Sequence, residues 1–144
     1  SKAFGLAGCR VGYGVAQKEV IDALGLTKLV YNMNILSQNA ALAAMDYADD
    51  ILAHNIPPTL AARQHFMDAL KDVPNLTVYP SATNFVLVRV PDGPAMVKAL
   101  HDADICVRSY KAADLKNCLR ITITTDDVVR RVVAVMTEEA KKYA

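Results

Sequence analysis

The chain has 144 residues, 53% of them apolar and 22% charged, with a formal net charge of +1. A chain of that size buries roughly 68–70% of the surface its unfolded form exposes, so it can carry a globular core, as one domain or a small domain plus part of another. The near-neutral balance gives no electrostatic case for nucleic acid or an anionic membrane as a partner, so any anion site must be local.

Four of the six glycines, Gly5, Gly8, Gly12 and Gly14, fall in the first fourteen residues, where the backbone must turn tightly or approach a neighbour closely. Residues 10–16 (RVGYGVA) read as a short strand, and residues 18–24 as a short helix stopped by Gly25. A connector with Tyr31, Asn32 and Asn34 leads to a long alanine-rich helix over about residues 37–53. Its apolar side is expected to hold Ala40, Leu42, Ala43, Tyr47, Ile51 and Leu52. Pro57-Pro58 is expected to stop that helix, with Pro58 in the first turn of another that ends at about Leu70.

An alternating pattern follows: strands at 76–79 and 84–90, a helix at 94–103, strands at 105–108 and 119–124, and a final helix at 126–142. Leu119, Ile121 and Ile123 alternate with Arg120, Thr122 and Thr124, the period of a strand with two distinct faces. Val128, Val129, Val132, Val133 and Met136 recur at helical spacing. The fold class is therefore α/β, with an α+β small domain: a mainly antiparallel sheet covered by helices. The division expected is 1–33 as the end of a larger domain, 34–53 as a connecting helix, and 54–144 as the small domain. With no initiator Met and an opening Ser1-Lys2-Ala3-Phe4-Gly5, the chain reads as a piece of a longer protein.

Few residues offer chemistry. Cys9, Cys106 and Cys118 are widely spaced, with no CxxC pair and no zinc-type His/Cys cluster; they read as free thiols of a reducing cytoplasmic compartment. No stretch approaches the roughly 20 apolar residues of a membrane helix, and there is no basic-then-apolar leader. His54, His65 and His101 lack metal spacing, and Asp49-Asp50 and Asp126-Asp127 read as helix-surface and helix-N-terminal charges.

Lys2 stands in a glycine-rich, apolar neighbourhood. Desolvation there would favour the neutral amine, the form that makes Schiff bases; taken alone, it reads more simply as an exposed terminal lysine. Arg10 could grip a phosphate through two parallel hydrogen bonds, or lie on the surface beside a strand. Arg108 and Arg120 flank one loop, beside the apolar Val107 and Leu119. If their strands pair as a hairpin, both arginines point the same way. That convergence suits an anionic ligand; the other reading is two solvated arginines paired to Asp104 or Asp114.

Residues 1–13, SKAFGLAGCRVGY, strongly resemble the SKA-GLAG-R-GY signature of fold-type I aminotransferases that use pyridoxal 5'-phosphate (PLP). Tyr31-Asn32-Met33-Asn34 is similar to the connector before the long interdomain helix, and Ser81 to Val88 (SATNFVLV) to the S-x-x-N-F/Y strand of the small domain. Ile105-Cys106-Val107-Arg108 followed by Leu119-Arg120-Ile121-Thr122-Ile123 resembles the arginine pair of the histidinol-phosphate type. The matches run in family order along nearly the whole chain.

The resemblance implies that Lys2 carries the cofactor and shuttles the substrate's α-proton, that Arg10 holds the cofactor phosphate with Ser1 as a further candidate, and that Arg120 binds the substrate's acidic group with help from Arg108. It implies an amino-acid-type substrate, a 2-oxo acid partner such as 2-oxoglutarate, and a homodimeric full-length enzyme with no metal. Ser109 stands where many relatives have an acid, and Thr124-Thr125 replaces Gly-Thr, which loosens the substrate assignment and leaves the family. Relatives also carry a PLP-binding domain before the lysine, so this chain alone is expected to be inactive. The competing functions are a threonine-phosphate decarboxylase-type lyase, a general amino-acid aminotransferase, and a stand-alone small-molecule-binding module, against which the Lys2 signature argues.

Overall fold

The computed structural model describes residues 1–144. Its chain divides into two compact units, Ser1–Ile56 and Pro57–Ala144.

The first unit opens with a 3-10 turn at Ala7–Cys9, followed by helix α1 at Lys18–Gly25 and helix α2 at Ile35–Asp46. The strand expected over residues 10–16 is absent, and the stretch has no ladder partner. A strand is defined by the neighbour that takes its N–H and C=O groups, and this unit provides none. Helix α1 includes Gly25 as its last residue, one beyond the expected stop. Asn34 caps α2, its Oδ1 accepting from the Ser37 backbone N–H at 2.8 Å, which satisfies one of the orphan donors of the first turn. Leu42 and Tyr47, expected on the covered side of the long helix, are exposed, and Ala44 is the buried apolar residue.

Helix α3 spans Ala48–Leu70 and runs through Pro57 and Pro58, where the sequence pattern predicts a stop. The interruption falls instead at Tyr47 (φ −109°, ψ 24°), between α2 and α3. A proline inside a helix removes one hydrogen bond and crowds the preceding turn; the helix continues past both, and the boundary between the two units lies beside them.

The second unit follows the expected alternation, with shorter strands: β1 Thr77–Val78, β2 Phe85–Arg89, α4 Gly93–Asp102, β3 Arg108–Ser109, β4 Cys118–Thr122 and α5 Asp126–Lys141. Of these, β3 shares only Arg108 with the strand expected at 105–108. The sheet order is β1-β2-β4-β3, with every neighbouring pair antiparallel. Val86 faces Ile121 and Val88 faces Leu119. These four share one core with Phe66 and Leu70 of α3, Met96 and Leu100 of α4, and Val129, Val132 and Met136 of α5. Each such side chain contributes about 1.5–3 kcal/mol on burial, so the helices are held to one face of the sheet by period-2 strands meeting period-3.6 helices.

Two local features secure this unit. Asn117 closes the β2–α4 turn: its Nδ2 donates to the Pro91 carbonyl at 3.0 Å and its Oδ1 accepts from the Gly93 N–H at 3.2 Å. The backbone approach is so close that a Cβ on Gly93 would lie 2.3 Å from the Lys116 carbonyl oxygen. At the start of α5, Asp126 meets His65 Nδ1 at 2.6 Å and Arg130 Nε at 2.8 Å, tying α5 to α3. The hydrogen bond from His65, then that from Arg130, holds the Asp126 carboxyl below its ordinary value. No helix is long and apolar enough to cross a membrane.

Two outcomes follow. Gly93→Ala should destabilise the chain by about 1–3 kcal/mol, read as a lowered urea midpoint, because the obstructing atom is backbone. A lowered folded-state carboxyl value contributes stability above the unfolded value of about 3.9 and loses it as pH falls through the folded one. Asp126→Asn should therefore flatten the acid limb of Tm against pH; an unchanged limb would assign it to other carboxylates.

Candidate functional site

Lys2 and Arg10, the two residues expected to hold the cofactor, flank one turn of the first unit. Lys2 is exposed, and its carbonyl accepts from the Gly5 N–H at 3.0 Å. Gly5 adopts φ 66° there, a left-handed conformation that glycine reaches without a side-chain penalty. Arg10 ends the 3-10 turn with φ 53° rather than opening a strand. That conformation is uncommon for a residue with a Cβ. Its guanidinium donates once within the chain, from Nη1 to the Ala7 carbonyl at 3.1 Å.

The turn is anchored from α2. Buried Ser37 donates its hydroxyl to the Cys9 carbonyl at 2.6 Å and accepts from Asn34 Nδ2 at 3.1 Å. The Asn34-to-Ser37 connector thus fixes the peptide immediately before Arg10. Neither Lys2 nor Arg10 forms an ion pair with a carboxylate of this chain. Ser1 is exposed beside Lys2.

The second unit brings Arg108 and Arg120 together. They are direct partners across the β3–β4 ladder, so both project from the sheet face opposite the helices. Neither pairs with Asp104 or Asp114; the Asp114 carbonyl instead accepts from Arg89 Nη2 at 3.3 Å. Like charges directly opposite on a sheet oppose folding, and here no acid compensates them. Arg120 is half-buried, its Nε buried without a hydrogen-bond partner, and its guanidinium carbon stands 5.2 Å from the centroid of the Phe85 ring. Sequence reasoning gave Phe85 no part here. Its place follows from the register, Phe85 opposite Thr122 and Leu87 opposite Arg120, which makes Phe85 the diagonal neighbour of Arg120 on the open face.

The donor set is chemically selective: an unpaired amine and an unpaired guanidinium around one turn, and a guanidinium pair on an open sheet face. All four groups are cationic donors when protonated, suited to anions, and Lys2 alone offers a nucleophile for an electrophilic carbonyl once its amine is neutral. Residues 1–136 match the model of the family described as aminotransferase class I and II. A histidinol-phosphate aminotransferase of Thermoanaerobacter sp. (strain X514) is 41% identical over 126 residues, covering 87% of this chain and 35% of the relative. One from Ruminiclostridium cellulolyticum is 38% identical over 128 residues, covering 88% and 36%. Among solved structures, the histidinol-phosphate aminotransferase of Sinorhizobium meliloti in complex with pyridoxal-5'-phosphate superposes with a TM-score of 0.74 at 30% identity, covering 100% of this chain and 40% of that one. The chain thus spans little more than a third of the length of the curated relatives it matches. With the family's pattern running from Ser1 to Met136, the chain belongs to the aminotransferase class I and II family.

Proposed function

We propose that this chain is the C-terminal portion of a PLP-dependent aminotransferase that moves an amino group between histidinol phosphate and 2-oxoglutarate. Within that protein, residues 1–33 complete the cofactor-binding domain, 34–53 connect, and 54–144 form the small domain, with a homodimer as the working assembly. The division of the chain beside Pro57 supports the last boundary.

The observation that carries the reading is the Arg108–Arg120 pair, two arginines directly opposite one another on the ladder, neither of them ion-paired to a carboxylate of the chain. A phosphate monoester is close to a dianion at neutral pH, and bidentate guanidinium contacts suit it. The residues of the first unit fit PLP in donor chemistry. Lys2 offers an amine without a counter-ion, Arg10 offers a guanidinium with one internal hydrogen bond, and Ser1 offers a hydroxyl. When bound, PLP supplies the electron sink that makes the substrate's α C–H acidic. Lys2 Nζ then takes and returns that proton, a role that requires the neutral amine and hence burial by further protein. Arg10 holds the cofactor phosphate in place, and Arg120 with Arg108 orients the substrate through its acidic group.

In the intact enzyme, Arg120→Ala should raise KM for histidinol phosphate roughly ten- to hundredfold, the loss of one charge-assisted contact, with PLP affinity unchanged; Arg10→Ala should do the reverse. Equal effects of both changes on PLP, with KM untouched, would refute the division of roles. Product analysis of the same enzyme separates transamination from a lyase: keto-acid formation supports the proposal, and carbon dioxide release sinks it.

The 144-residue chain by itself has too few contacts to hold PLP tightly. One or two charge-assisted contacts of about 1.5–3 kcal/mol each correspond at best to binding in the range of roughly tens of micromolar, and to roughly millimolar or weaker for a single contact. Borohydride reduction in the presence of PLP, followed by peptide mapping, should label surface lysines broadly in this chain and Lys2 alone in the intact enzyme. Stoichiometric labelling of Lys2 in the short chain would contradict this.

A further inference from the structure

The SATNF segment, residues 81–85, has a physical task that the assigned roles do not cover. Its hydroxyls grip the backbone of Phe85 on both sides. Thr83 Oγ1 accepts from the Phe85 N–H at 3.3 Å and donates to the Phe85 carbonyl at 3.0 Å. Ser81 Oγ also donates to that carbonyl and accepts from the Thr83 N–H at 3.1 Å. The loop is held from outside as well: Arg63 of α3 donates to the Thr83 carbonyl at 2.8 Å, and the Asn84 carbonyl accepts from the Ile123 N–H at 2.9 Å. These bonds fix the first residue of β2, whose ring lies beneath the Arg120 guanidinium at 5.2 Å.

The usual partner of a half-buried arginine is a carboxylate, and a carboxylate here would compete with any anionic ligand. An aromatic face attracts the cation while leaving its N–H donors free. It also holds the guanidinium plane against the repulsion of Arg108 across the ladder. Arg120 Nε is buried without a hydrogen-bond partner, so no carboxylate of the chain neutralises this end of the guanidinium.

Resting on the anion-site reading above, we infer that Phe85 is a positioning residue for Arg120, its clamped ring replacing a counter-ion so that the guanidinium stays oriented and unneutralised for the ligand's phosphate. The test uses the 144-residue chain, inorganic phosphate as probe, and NMR of arginine side chains. In the wild type, the Arg120 δ and ε protons should be shifted upfield by the ring current, and phosphate should move the Arg120 Nε–Hε signal in a saturable way. Phe85→Leu, which keeps apolar bulk, should abolish the upfield shift and weaken phosphate binding about tenfold; Phe85→Tyr should restore both. An Arg120 without ring-current shift in the wild type overturns the inference, whatever the variants do. So does a Phe85→Leu chain that keeps its α5 amide signals and binds phosphate like the wild type, provided Arg120→Ala abolishes binding. No response of Arg120 to phosphate in the wild type would instead refute the anion site itself, and this inference with it.

Discussion

The β2–β4 ladder is the constraint on which the second unit turns. Five consecutive pairs, from Phe85–Thr122 to Arg89–Cys118, lock the two central strands in one register. Because side chains alternate along each strand, that register sends Val86, Val88, Leu119 and Ile121 into the core and Phe85, Leu87 and Arg120 to the opposite face. A slip by one residue would place Arg120 among Phe66, Leu100 and Met136. The cost of burying an uncompensated guanidinium there is what specifies the register, and the same alternation builds the cationic face. Core and candidate site are two consequences of one pairing.

The cationic face itself works against folding. Directly opposed like charges on a sheet cost about 0.2–1 kcal/mol, and a cation over an aromatic face returns about 0.5–2 kcal/mol. The two terms are of the same size, so the Arg108–Arg120 pair can persist without an acid. An Asp or Glu in place of this arrangement would stabilise the sheet and cancel its charge. The open face therefore holds cationic charge that a bound anion would neutralise.

The first unit is organised differently. Its only buried residues are Ser37 and Ala44, and large apolar side chains such as Leu26, Val30 and Tyr31 are exposed. Short isolated helices are marginal in water, so its order rests on polar local devices: the Asn34 cap, the Ser37 hydroxyl on Cys9, and the left-handed residues Gly5 and Arg10. These are also the devices that shape the turn between Lys2 and Arg10.

The amino-acid sequence alone determined the element types of the second unit, the face assignment of residues 119–123, and the helix through Val129, Val132 and Met136, because period-2 and period-3.6 patterns are local properties of the chain. It also carried the residue types that select anions and place the chain in its family. Three matters were decided only in three dimensions. The strand expected at 10–16 did not form, because a ladder needs a partner and the sequence of one segment cannot say whether it has one. The helix continued through Pro57-Pro58 and broke at Tyr47 instead; a proline disfavours a helix by a few kcal/mol locally, a preference that does not fix where a long helix ends. The stacking of Arg120 on Phe85, thirty-five residues earlier in the chain, depends on the long-range register of two strands, which alternation within either strand leaves undefined.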